Sequence, residues 1–199
     1  LLFIFQFYSL QSPEVKPASS PDNEFSGARA YQILENLLAE NKPHPVGSKL
    51  NKEVKKRITS ELNKLGVSFE EQHTWACGSR FNNCAPVENI IATIPGSDKD
   101  SVIALMAHYD SVEMAPGAGD DGAAVAAILE TTRALLLDAP FKNSIMLIFT
   151  DGEEAGLLGA EAFFKQHPLA KTIDLLLNFE GSGTKGGSMI LRTTEANEL

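Results

Sequence analysis

The chain has 199 residues, 43% hydrophobic and 22% charged, a globular balance that excludes wholesale disorder and collagen-like structure and that fills one domain. Its 26 acidic and 17 basic residues give a net charge of -9. That sign is opposite to the one a nucleic-acid binder carries, so nucleic acid is set aside as a partner, and two cysteines exclude a disulfide-rich scaffold.

The first ten residues, LLFIFQFYSL, are apolar but shorter than the about 20 residues a bilayer span needs. They read as the end of a transmembrane or signal segment, with a buried terminal strand as the alternative. A polar linker with Pro13, Pro17 and Pro21 follows at once. Residues 1–23 are therefore expected to be a membrane-segment remnant and linker, and residues 24–199 the functional domain. Apolar residues at Ala30, Ile33, Leu34, Leu37 and Leu38 predict a helix over 26–41, with Ser26 as N-cap. After the turn KPHPVGS, Val54, Ile58, Leu62 and Leu65 predict a second helix over 48–65, ended by Gly66. Residues 67–73 alternate like a strand, 77–84 form a small loop rich in Gly, Ser and Asn, and 87–94 form a strand stopped by Pro95-Gly96. Strands at 102–107, 145–149, 175–179 and 189–192 then alternate with helices at 122–137 and 155–167. This order predicts an α/β fold with a mixed, mostly parallel central sheet flanked by helices. Ligands of such sheets bind beyond the carboxyl ends of the strands.

Chemistry-bearing residues gather at those ends. The first long strand leads to His108 and Asp110 (HYDS), the next to Asp151, Glu153 and Glu154 (TDGEEAGLLG), and the third to Glu180 (NFEG); a loop supplies Asp120 and Asp121 (PGAGDDGAA). So many carboxylates at one rim repel one another and hold protons unless a cation neutralises them. Imidazole mixed with carboxylate suits zinc better than magnesium or calcium. Asp110 is placed to orient the His108 ring. Of the GEE pair, one acid can bind metal while the other serves as general base. Gly117, Gly119 and Gly122 spell G-x-G-x-x-G, but two aspartates among them repel a pyrophosphate, and the glycines lie too far past the strand, so a dinucleotide site is rejected.

The runs HYDS, GAGDDGAA, FTDGEEAGLLGA and NFEG, in order and spacing over roughly 87–194, resemble the aminopeptidase-like zinc exopeptidases. That family includes bacterial leucyl aminopeptidases, glutamate carboxypeptidase and glutaminyl cyclase. HPVGS and the apolar start resemble its membrane branch, which includes endoplasmic reticulum metallopeptidase 1 and the fungal vacuolar membrane protease. The resemblance implies two zinc ions, with His108 on the first, Asp120 bridging both, Glu154 on the second and Glu180 completing the first. It also implies that Asp110 orients His108, that Asp121 follows Asp120 in a strained peptide, and that Glu153 is the general base. The implied reaction removes an N-terminal residue from a peptide, on the lumenal or extracytoplasmic side of a membrane such as that of the endoplasmic reticulum or a vacuole. A glutaminyl cyclase-like acyltransferase and an inactive membrane-anchored binding module remain the alternatives.

One departure stands out. The family completes its second metal site with a downstream histidine, whereas the four histidines here are His44, His73, His108 and His167. His44 reads as a shaped loop near the site and His167 as an exposed helix cap. The chain is therefore expected to stop inside the domain, to hold the second metal weakly and not to turn over substrate by itself. Cys77 and Cys84 enclose a loop short enough to close, so a disulfide between them and an oxidising compartment are also expected.

Overall fold

Ile90 to Ala92, Ala104 to Ala107 and Met146 to Phe149 are almost wholly buried in successive residues, the mark of strands covered on both faces. The structure is a computed structural model that describes residues 13–78, 80–181 and 193. Its strands are β1 (Phe69–Cys77), β2 (Cys84–Ile94), β3 (Asp98–His108), β4 (Asn143–Thr150) and β5 (Ile173–Asn178). They pair in the order β1-β2-β4-β3-β5. β3 runs parallel to both β4 and β5, whereas β2 is antiparallel to β1 and to β4. Among the described strands only β2 thus opposes the common direction of this mixed sheet.

Among the described residues four α-helices cover it: α1 (Gly27–Leu37), α2 (Lys49–Lys64), α3 (Ala123–Leu135) and α4 (Leu158–Gln166). The period of two along each strand divides the core between two faces. Ile90, Ala92, Leu105, Ala107, Leu147 and Phe149 pack under α1, α2 and α3 through Leu37, Ile58, Leu62, Val125 and Leu129. Ile91, Ala104, Met106, Met146 and Ile148 face the other way, against Phe163 of α4. Ser26 and Ser48 cap α1 and α2, accepting the N–H groups of Arg29 and Asn51.

The expected elements within the described residues are all present, with two shifts of consequence. β1 and β2 extend through Cys77 and Cys84, which face each other across the ladder and form the expected disulfide, with Cα atoms 4.1 Å apart. The last helix begins at Leu158, not at 155, because Gly156 and Leu157 have φ of 118° and 64°, values that an α-helix cannot include. Residues 152–157 are therefore a turn, and the GEE acids belong to it.

The proline-bearing linker has neither helix nor strand from 13 to 26, yet it is tied down. Arg29 donates to the carbonyls of Ala18, Ser20, Pro21 and Glu24. Arg133 donates to those of Asp22 and Glu24. Buried Glu130 aligns both guanidinium groups and also accepts the Ser26 N–H at 3.0 Å. Among the described residues no helix is long and apolar enough to cross a membrane. The apolar segment 1–10, the run SGTKGGS at 182–188 and the strand expected at 189–192 lie outside the described residues.

Candidate metal centre

β3, β4 and β5 are neighbours with one direction, so their carboxyl ends emerge together; His108 pairs with Thr150 in the ladder, and Phe179 N–H donates to Met106 O. That register brings His108, the 151–157 turn and Glu180 to a single edge. Asp120 reaches the same place from a single wide turn ahead of α3, closed by the Gly122 N–H on Gly117 O at 2.9 Å; the Asp120–Asp121 peptide is cis. Gly181 passes so close to Asp120 that any Cβ there would overlap the aspartate's own Cα and Cβ.

His108 Nε2 lies 3.0 Å from Asp120 Oδ1 and 3.6 Å from Glu180 Oε1, and the three groups can bring their donor atoms within 4.8 Å of one another. A tetrahedral zinc with ligands at about 2.0–2.2 Å holds its donors about 3.3–3.6 Å apart. One imidazole and two carboxylates at this spacing fit that ion. The other ring nitrogen of His108, Nδ1, faces the Asp110 main-chain carbonyl at 3.1 Å and its carboxylate at 3.4 Å, which turns Nε2 to the open side. Asp110 spends its carboxylate oxygens on the N–H groups of Glu153 and Glu154, at 2.9 and 3.2 Å. It therefore grips the ring and the GEE turn together.

The electrostatics are those of a crowded acidic pocket. Burial, reinforced by neighbouring carboxylates, raises the carboxyls of Glu153 and Glu154. Burial pushes Asp121 up to about 8, and its Oδ2 is buried without a hydrogen-bond partner. Burial alone would lower His108, but Asp110 and Glu180 push it up to about 12, while the His108 hydrogen bond holds Glu180 below the usual carboxylate range. A divalent cation reverses such a balance, displacing protons and satisfying the acids.

A cavity of about 350 Å³ opens here, lined by Arg80, Phe81, Asp120, Glu153, Glu154 and Glu180. Glu154 borders it without joining the three-donor cluster. Asp151, although it follows β4 directly, is turned inward, accepting the Asn51 side-chain amide at 2.9 Å and the Glu88 N–H at 3.2 Å. His44 is buried, with Nε2 2.9 Å from Tyr109 O and its own N–H donating to Ser111, so HPVGS braces the HYDS segment. His167 is a cap, as expected, but it is not exposed: its ring stacks on Phe163 at 5.1 Å and accepts from the Leu169 N–H. A second cluster, Glu71, His73 and Glu88, is drawn together by the Lys55 ammonium, 2.5 Å from both carboxylates. Arg80 and Phe81 escaped the sequence reading, which saw only a polar loop between two cysteines; the contacts of Asn83 with Ala155 and of Phe81 with Gly156 that fold this loop over the GEE turn have no local signal.

The fold is a mixed α/β sheet with an imidazole–carboxylate donor set, a candidate metal centre, beyond its parallel strand ends. The chain belongs to peptidase family M28, whose model matches residues 89–199. It is 32% identical to a vacuolar membrane protease of Schizophyllum commune over 98% of this chain, and 32% identical to one of Candida albicans over 77%. It spans about a fifth of the length of these curated relatives, 22% and 18%. A Zn-dependent exopeptidase from Parabacteroides distasonis has a similar structure, with TM-score 0.70 and 23% identity over 84% of this chain and 64% of that one. A Porphyromonas gingivalis glutaminyl cyclase gives TM-score 0.70 and 22% identity over 81% and 60%. These two likenesses concern the fold.

Proposed function

We propose that this domain is the catalytic part of a zinc metallopeptidase of aminopeptidase type, attached to a membrane through its N-terminal segment. The carrying observation is the His108–Asp120–Glu180 cluster, with donors spaced for zinc beside a turn that presents two further acids. His108, Asp120 and Glu180 would hold a first zinc, and Asp120 with Glu154 would contribute to a second. Zinc held there supplies Lewis acidity, polarising a carbonyl and acidifying water.

The chain's own groups supply the rest. Asp110 fixes the His108 ring and aims Glu153. Glu153, half-buried beside the cluster with its carboxyl raised, is suited to take a proton from water and return it to the leaving amine. The acidic wall favours the ammonium group of an unblocked peptide terminus. The Cys77–Cys84 disulfide supports an oxidising, lumenal or extracytoplasmic setting, and the names of the relatives support a vacuolar membrane.

The zinc-loaded full-length protein should hydrolyse leucyl peptides and leave their N-acetylated forms intact. Cleavage of both equally would remove the aminopeptidase assignment. Ammonia release from N-terminal glutaminyl peptides without hydrolysis would instead establish the cyclase reading.

A further inference from the structure

The β1–β2 loop is built as a wall of the cavity. The disulfide closes it at its base, and Gly78 N–H donates to Asn83 O at 2.9 Å. Its tip is docked on the GEE turn: Asn83 donates to Ala155 O at 3.2 Å, and Phe81 packs over Gly156 so closely that a Cβ there would stand 3.2 Å from its ring. Gly156, with φ of 118°, supplies the missing side chain and the backbone conformation together. Between these anchors Arg80 stands at the cavity, its guanidinium 5.1 Å above the Phe81 ring.

Among the described residues that line the cavity, Arg80 is the one cation, facing Asp120, Glu153, Glu154 and Glu180. It is not consumed by them. Its nearest approach is 3.7 Å from Nη1 to Glu153 Oε1, beyond hydrogen-bond range. The guanidinium fork therefore keeps donors for a planar anion. Two divalent cations would offset the four carboxylates and leave the arginine charge to the substrate. Its position beside Glu153 selects which end of the substrate it meets, because the base returns its proton to the leaving amine.

We infer that Arg80 is a specificity-determining residue that binds a carboxylate on the leaving part of the peptide. Resting on the aminopeptidase reading above, this makes the preferred substrates short or acidic peptides. The carboxylate is either the free C-terminus of a dipeptide or the side chain of Asp or Glu after the scissile bond.

The test compares leucyl-alanine (terminal carboxylate), leucyl-glutamyl-amide (side-chain carboxylate only) and leucyl-alaninamide (neither) with the zinc-loaded full-length protein and its Arg80→Ala and Arg80→Lys variants. Charged hydrogen bonds of this kind set a preference of ~10–100-fold in kcat/KM, carried in KM, for at least one carboxylate substrate over the neutral amide. Whichever carboxylate shows it is the source. Arg80→Ala should collapse that ratio toward one, and Arg80→Lys should restore part of it. A ratio unchanged by Arg80→Ala, or no preference in the parent protein, overturns the inference while leaving peptidase function standing. Isothermal titration with D-leucyl-alanine, D-leucyl-glutamyl-amide and D-leucyl-alaninamide, which resist hydrolysis, reads the same preference without turnover. If no peptide is cleaved, the function proposal fails. The carboxylate site then stands if Arg80-dependent binding persists, and falls if it is absent.

Discussion

The carboxylate of Asp110 accepts the backbone N–H of Glu153 at 2.9 Å. This bond joins the end of β3 to the turn after β4, so the residue beside the His108 ring also sets where the candidate base stands. Asp110→Asn puts an amide N–H against one of two N–H donors and removes the charge next to His108. Zinc affinity should fall ~10–100-fold, as for other partners of metal ligands. Competition with a chelating dye measures it; an affinity equal to the parent's would show that Asp110 does not support the centre.

Zinc should stabilise the fold through the His108 cluster. At a free concentration about 100-fold above the dissociation constant, binding adds about 2.7 kcal/mol to stability. The melting temperature should rise on titration with zinc and return with chelator. His108→Ala should abolish the response. A rise that persists in that variant would place the ion elsewhere.

The Cys77–Cys84 bond closes an eight-residue loop, since the two positions are 7 apart. Loop-closure entropy assigns it about 2.5 kcal/mol. Cys77→Ser with Cys84→Ser should lower stability by about that amount, and thiol reagents should label the parent only after reduction. Full labelling of unreduced, folded protein would contradict the bond.

Glu130 ties the proline-bearing segment to the domain. Burial opposes its charge, but Arg133 and Arg29 prevail and hold its carboxyl below the ordinary value of 4.5. A carboxyl depressed in the folded state contributes stability that is present above about pH 4.5 and lost as pH falls through its folded value. Glu130→Gln should flatten that acid limb, and Glu130→Ala should cost about 3–5 kcal/mol at neutral pH by leaving two arginines without their partner. Chemical denaturation at several pH values checks both. An unaltered acid limb in the Gln variant would assign the pH dependence to other groups.

Much of this was legible in the sequence because it is local. Alternating or unbroken apolar runs mark β1 to β5, apolar spacing marks α1 and α2 with a serine cap on α1, and HYDS, GDDG, GEE and NFEG place acids and imidazole at strand ends. What escaped depends on contacts distant in sequence. Asp151 looks like a rim acid, yet Asn51, a hundred residues earlier, draws it inward. The helix expected from 155 starts only at Leu158, because positive φ at Gly156 and Leu157 prolongs the turn that carries the GEE acids. Arg80 carries no motif; only the docking of its loop on Gly156 and Ala155 brings it to the cavity.

The most direct test replaces Glu153 with Gln in the full-length protein and follows hydrolysis of leucyl-p-nitroanilide beside zinc content. Loss of a general base should lower kcat by about 10²–10⁴-fold while the zinc content stays at the parent's level. A variant that retains its zinc and cleaves the anilide at the parent's rate would contradict Glu153 as the base and the peptidase mechanism built around it.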